Sequence, residues 1–242
     1  MELDRRAYRR DCWLGALGAL FLLAGDLCLS VIPAHAGDSG LFLREAYLSG
    51  AYEPWRLPLL AATGLLGMAL GFFTVRAMYM QIAPQHRRTR LAILIGGVLY
   101  VASAGALHIW IGTLADWTST LAPLLGREET AARIQSQYSR VMPAMGICYA
   151  GMLLLIIGSA LAVLTKKTAL PRRMFVFHVL VWQTILVLIP DIRQLLGAKI
   201  STWDFVCSQG SGNASLCIWM ARERHLGRQR KQTEEAEPCL KK

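Results

Sequence analysis

Six apolar runs, each about 18 to 24 residues long, constrain what this chain can fold into. They cover residues 13–32, 57–79, 91–114, 142–165, 174–195 and 203–220. A helix of about 20 residues crosses the hydrocarbon core of a bilayer, where only helices and closed barrels satisfy all backbone groups. The 17% of charged residues is low for a soluble domain. The sequence therefore predicts an all-α polytopic membrane protein, with a six-helix domain over 1–222 and a charged cytoplasmic tail over 223–242.

The lysines and arginines lie in short clusters between these runs and predict the orientation. The clusters fall within residues 5–10, 76–90, 166–173 and beyond 221. Cytoplasmic loops are enriched in lysine and arginine, so six spans would put both termini in the cytoplasm and the protein in the cell membrane. The net charge of +10 is divided among these clusters, which argues for membrane lipids as partners and against nucleic acid.

Two segments on the predicted outer side have patterns of their own. The stretch "GLFLREAYLSGAYEPW" mixes aromatic and aliphatic residues with few charges, as expected of a segment lying at the membrane interface. In "REETAARIQSQYSRVM", apolar residues recur at helical spacing. This pattern predicts that the fourth helix extends out of the membrane.

Asp26 is the most costly residue of the first run, because it lies among leucines in "LFLLAGDLCLSVIP". At 100° per residue, Gly15, Ala19 and Ser30 share its face of the helix. Small residues in a row mark a contact between helices, so Asp26 is predicted to face the bundle. Two interpretations stay open, a hydrogen bond between helices and a functional role.

Other polar residues reach the same outer half of the membrane. His108 lies at a similar height in the third run, Asp191 at the outer end of the fifth, and Ser211 and Asn213 in the sixth. Each also has a structural interpretation, such as a hydrogen-bonded interfacial histidine or a helix-end ion pair of Asp191 with Arg193. Their shared depth is the strongest functional signal in the sequence.

The sequence contains no motif for a metal or a cofactor, and none is predicted. No two histidines have the spacing of a helical metal pair, and no CxxC occurs. Asp26, His108 and Asp191 are the sole candidates for metal ligands, and only if the fold brings them together. The cysteines are interpreted as packing residues, with a Cys28–Cys207 disulfide as the alternative.

The "AGDL" turn of the first run and "QGSGNASLCIW" of the last resemble a family of uncharacterised six-helix bacterial membrane proteins. This resemblance covers chiefly those two stretches and the number of spans. It implies the fold and no activity.

Three functions are consistent with these patterns. The first is a polar pocket in the outer half of the bundle, lined by Asp26, His108, Asp191, Ser211 and Asn213, that binds a small amphiphilic or lipid-like ligand. The second is a proton- or cation-coupled transporter, expected as a homodimer. The third is a membrane enzyme acting on lipid or isoprenoid substrates, with His108 and an aspartate as the acid–base pair. The sequence leaves open whether the protein is an enzyme.

Overall fold

The computed structural model describes residues 4–36, 38 and 43–236, with side chains up to residue 223. These residues are almost entirely helical and contain no strand beyond an isolated bridge between Ile82 and Thr168. The helices are α1 (Arg5–Ser30), α2 (Glu45–Leu48), α3 (Arg56–Met80), α4 (Arg87–Leu125), α5 (Arg127–Leu164), α6 (Val179–Leu195) and α7 (Thr202–Ala236), with a 3-10 helix (Arg172–Phe177) before α6.

Five segments of the described chain are long and apolar enough to cross a membrane. They are Arg5–Ser30, Arg56–Met80, Arg87–Leu125, Arg127–Leu164 and Arg172–Leu195. Each of the first five predicted runs lies within one of these segments, except that the first and fourth runs extend one or two residues past the end of theirs. α7 is a continuous helix over the sixth predicted run, but the polar stretch "SQGSGNAS" lowers its hydropathy. Its crossing of the membrane stays a prediction.

The extension of the fourth predicted helix is confirmed. α5 begins at Arg127 and runs without interruption to Leu164, so the helix starts well before the apolar run at 142. Ile134, one of the residues that carried the pattern, is 1% exposed. Helical periodicity in a polar segment was therefore a reliable signal here.

The helices pack in a ring in which neighbours along the chain are mostly neighbours in space. α5 packs on α4, α4 on α3, α3 on α1, α1 on α7 and α7 on α6. The 3-10 helix and α6 contact α5 and close the ring. The first and last helices of the described chain are thus side by side, which brings the α1 and α7 polar residues together.

His178 joins the three helices at the closing point of the ring. Its Nδ1 accepts a hydrogen bond from the Leu180 backbone N–H at 3.1 Å, which caps the start of α6. Nε2 therefore carries the proton and donates to Ser159 Oγ of α5 at 2.9 Å. The imidazole also packs edge-to-face against the indole of Trp219 on α7, with the two ring centres 4.7 Å apart. Both ring nitrogens are satisfied, so His178 has a structural role.

The C-terminal end of α1 is capped by two arginines. Arg44 is fully buried and donates to Ser30 O at 3.1 Å and Ile32 O at 2.7 Å. Arg56 donates to Cys28 O at 2.9 Å. Cations at a helix C-terminus satisfy its unpaired carbonyls and match its dipole. The Arg44 guanidinium also lies 3.8 Å from the ring centre of Phe205, so the same residue ties α7 to α1.

Glycines allow the closest helix contacts, as between α4 and α5. A Cβ added at Gly151 would lie 2.8 Å from Leu99 Cβ, 2.8 Å from Tyr100 N and 2.9 Å from Gly96 O. These neighbours are backbone atoms or a Cβ, so they cannot move without the helix. In a bilayer, where lipid supplies little hydrophobic force between helices, close packing of this kind carries much of the association.

We predict that Gly151→Ala lowers the stability of the protein, because overpacking a close contact costs about 1–3 kcal/mol. The matched control is Gly146→Ala on the same helix, where an added Cβ meets nothing within 4 Å. That change should be neutral or stabilising by up to about 1 kcal/mol. Thermal unfolding in detergent, followed by tryptophan fluorescence, measures both. Equal unfolding temperatures for the two variants would contradict the packing argument.

Candidate functional site

Asp26 is buried inside the bundle and bonded to the last helix. Its carboxylate is 7% exposed, and Oδ2 accepts a hydrogen bond of 2.7 Å from Asn213 Nδ2. Gly15, Ala19 and Ser30, which share its face of α1, are buried as well. The prediction that Asp26 faces the bundle is therefore confirmed.

His108 of α4 lies on the other side of the same carboxylate. Its Nε2 is 3.5 Å from Asp26 Oδ1, which is too long for a strong hydrogen bond. Nε2 is buried and has no hydrogen-bond partner among the described residues. A buried nitrogen without a partner costs about 1–3 kcal/mol, so this atom is unusual beside a carboxylate.

Glycines of two helices hold the His108 ring in place. A Cβ added at Gly25 would lie 2.6 Å from His108 Nε2, and one added at Gly64 would lie 3.2 Å from Cδ2. The ring therefore occupies space that side chains on α1 and α3 would otherwise fill. The Asp26 cluster, which we define as Asp26, His108 and Asn213, is surrounded by α1, α3, α4 and α7.

Two of the predicted site residues are not in this cluster. Ser211 is buried at 3% exposure, but its hydroxyl donates to Ser208 O of the preceding turn at 3.3 Å. Asp191 is exposed on α6. Its expected partner Arg193 instead pairs with Asp204 at the start of α7, at 3.0 Å. The structure thus brings together Asp26, His108 and Asn213 and leaves Asp191 and Ser211 apart.

The predicted alternative of a Cys28–Cys207 disulfide is not formed. Both cysteines are free thiols, and Cys28 Sγ instead donates to Ala24 O of its own helix at 3.3 Å. Within the described ranges, no three histidine, cysteine or acidic side chains converge closely enough to hold a metal ion.

A second buried carboxylate lies at the other end of α1 and was missed by the sequence reasoning. Glu223 is fully buried, and its Oε2 accepts from Tyr8 Oη at 2.5 Å and Cys12 Sγ at 3.7 Å. Gln81 lies beside it. Tyr8, Cys12, Gln81 and Glu223 form what we call the Glu223 cluster. Burial raises the pKa of Glu223 to about 7, against the opposing effect of the Tyr8 and Cys12 hydrogen bonds and of the nearby Gln81.

A periodic signal in the sequence could have found this cluster. Ser211, Ser215, Trp219 and Glu223 follow one another at every fourth position of α7, and all four are buried. Residues four apart lie on the same helix face. The basic residues around position 223 have the composition of a solvated tail, and this composition hid the continuation of the face.

The described residues form a bundle of long apolar helices with buried polar clusters, which is compatible with an integral membrane protein. The chain belongs to the family of unknown function DUF6796, whose model matches residues 4–203. Asp26 and His108 lie inside the matched range, and Asn213 and Glu223 lie beyond it. No curated protein and no solved structure matches the chain.

The contact between Asp26 and Asn213 can be measured by a double-mutant cycle. We predict that Asp26→Ala and Asn213→Ala each destabilise the protein and that their effects are not additive. The coupling free energy should be about 0.6–2 kcal/mol, as for hydrogen bonds between membrane helices. Unfolding by SDS titration supplies the free energies. Additive effects, with a coupling near zero, would contradict the contact.

The Glu223 cluster predicts a pH dependence of stability. The folded-state pKa of about 7 is above the ordinary glutamate value of 4.5, so the folded protein holds the proton more tightly than the unfolded chain. The contribution of Glu223 is complete below about pH 4.5 and falls as the pH rises to about 7, by about 3 kcal/mol in all. Glu223→Gln should remove this contribution.

The measurement is the difference in unfolding free energy between wild type and Glu223→Gln across pH 4 to 9. Taking the difference cancels the titration of all other groups. Gln135→Ala, an exposed change on α5 that removes no titratable group, is the control and should give a flat difference. A wild type that gains stability relative to Glu223→Gln as the pH rises would refute the assignment.

Proposed function

We propose that the protein is a six-span protein of the cell membrane whose Asp26 cluster binds the polar group of a small amphiphilic or lipid-like ligand. The single observation that carries the proposal is the buried, unpartnered His108 Nε2, 3.5 Å from Asp26 Oδ1. Buried polar atoms normally have partners. A group that completes the hydrogen bonding of this pair would be bound strongly.

The spacing of the two atoms restricts the chemistry of that group. A hydroxyl placed about 2.8 Å from each atom can donate to the carboxylate and accept from an imidazole N–H at Nε2. Asn213 already satisfies the other carboxylate oxygen. The site thus favours one small group that both donates and accepts, with an apolar remainder lying among the helices. Asp191 and Ser211 are not part of this proposed site.

We predict that wild-type protein in phosphatidylcholine nanodiscs is stabilised by 1-dodecanol and not by dodecane. At a hundredfold excess over Kd the unfolding temperature should rise by about 5–10 °C. Asp26→Asn and His108→Phe should each lose this shift, because each removes one side of the bridging geometry. Glu129→Gln should keep it. Equal shifts in all variants, or no shift with 1-dodecanol, would reject the proposal.

The topology of the proposal is six spans with cytoplasmic termini. Tyr8 near the start of α1 contacts Glu223 of α7, so the basic residues next to these two positions lie at the same end of the bundle. Lysine and arginine are enriched on the cytoplasmic side, and these residues therefore support cytoplasmic termini. Green fluorescent protein fused after residue 242 should fluoresce, and alkaline phosphatase fused after residue 200 should be active. An active phosphatase at residue 242 would indicate five spans.

The Glu223 cluster favours proton-coupled transport as a second candidate, with a homodimer as the expected assembly. It places a second carboxylate on the α1 and α7 pair that carries the Asp26 cluster, and the buried Ser215 lies between Asn213 and Glu223 on α7. Liposomes containing a pH-sensitive dye separate the two candidates. Flux lost in both Asp26→Asn and Glu223→Gln supports transport, and a wild type without flux rejects it. The enzyme alternative gains no specific support from the geometry.

A further inference from the structure

An apolar groove runs between α3 and α4, and none of its lining residues belongs to either polar cluster. Its volume is about 190 Å³, and its lining side chains come from the last two turns of α3 and the first half of α4. Among them are Phe72, Val75 and Tyr79 of α3 and Gly97 and Val98 of α4. Apolar cavities of about 150 Å³ already accept a molecule the size of benzene, so the groove can take part of one acyl chain.

The groove is formed by a close contact of its two helices. A Cβ added at Gly97 would lie 2.3 Å from Val75 Cγ1, so only glycine lets α4 approach α3 here. The rim is exposed, since Phe72 is 60% exposed and Val98 is 45% exposed. The surface is open along one side and can be entered sideways from surrounding lipid.

Two guanidinium groups lie at the end of the groove where α3 leads into α4. Arg76 lines the groove and its side chain is 51% exposed. Arg90 lies over the ring of Tyr79, with its Cζ 4.1 Å from the ring centre. In the described chain Arg90 has no ion-pair partner, and its Nε has no hydrogen-bond partner.

The local charge remains positive after the nearby carboxylate is counted. Arg76 Nε pairs with Asp11 Oδ2 at 3.1 Å, and Arg10 pairs with the other oxygen of Asp11 at 3.2 Å. Two arginines thus share one carboxylate, and Arg90 adds a further cation. The terminal nitrogens of Arg76 have no hydrogen-bond partner among the described residues, and can face a phosphate.

From this arrangement we propose that the groove is a binding site for one anionic phospholipid of the cytoplasmic leaflet. The phosphate lies between Arg76 and Arg90, and one acyl chain enters the groove toward Phe72. The cations lie near the connection between the two helices, and the apolar surface lies further along the helices. This arrangement matches the order of head group and acyl chain in a phospholipid. The inference rests on the proposed membrane insertion and topology and is independent of any ligand at the Asp26 cluster.

Binding of phosphatidylglycerol to detergent-purified protein, counted by native mass spectrometry, tests this site. Wild type should retain one phosphatidylglycerol in preference to phosphatidylcholine. Arg76→Gln and Arg90→Gln should each weaken its retention about fivefold, and together by about 25-fold. Val98→Phe fills the groove without changing charge, and should weaken retention at least as strongly. It also serves as the second variant in case loss of Arg76 disturbs the fold through Asp11.

Two controls separate a built site from general attraction. Arg133→Gln removes an exposed arginine of α5, and Leu153→Phe enlarges an exposed apolar residue of the same helix. Both should bind phosphatidylglycerol as wild type does. Equal retention by Val98→Phe and wild type, or equal loss in Arg133→Gln and Arg76→Gln, would overturn the proposal. The Asp26 cluster variants should leave this binding unchanged, so failure here is distinguishable from failure there.

Discussion

The close approach of α1 and α3 is the contact on which the rest of the bundle depends. A Cβ added at Gly18 would lie 2.9 Å from Gly67 O, and one added at Gly67 would lie 2.9 Å from Gly18 O. Each glycine is therefore in close contact with the backbone of the other helix. With the two helices this close, the next turns meet His108 at Gly25 and Gly64. The position of the imidazole relative to Asp26 follows from a glycine contact almost two turns away.

Buried charge in this protein is divided in an unusual way. Two of the buried carboxylates are held chiefly by neutral donors, an amide for Asp26 and a hydroxyl and a thiol for Glu223. The buried guanidiniums of Arg44 and Arg56 donate mainly to backbone carbonyls at the end of α1. A carboxyl with neutral partners can change its protonation without breaking an ion pair. This division suits a site that responds to a ligand or a proton.

The sequence predicted the helices well and the site in part. Hydropathy located the long helices, and the small residues around Asp26 predicted which way it faces, because both depend on one helix at a time. Matching depth correctly indicated Asn213 and His108 as neighbours, but it also selected Asp191, which is exposed. Depth fixes a residue along the membrane normal and says nothing about which side of a helix faces which neighbour. That information arises only when the order of helices around the ring is known.

Glu223 shows the opposite failure. Its charged surroundings resemble a free tail, and hydropathy averages hide a single buried face within a polar stretch. A search along one helix face at every fourth position, extended past the last apolar residue of α7, would have included Glu223. The sixth predicted span is hard to recognise for the same reason, since the polar residues that lower the hydropathy of α7 include Asn213, which is bonded to Asp26 inside the bundle.

The hydrogen bond between Asp26 and Asn213 joins residues 187 positions apart. At synthesis rates of about 5–20 residues per second, α1 is complete about 10–40 seconds before Asn213 exists. Throughout that interval Asp26 has no access to its final partner. A chain inserted helix by helix must therefore keep its first helix near the site of insertion, or shield its carboxyl, until the last helix arrives. The contact between α1 and α7 therefore forms last, and assembly of the bundle depends on α1 remaining available until α7 has been synthesised.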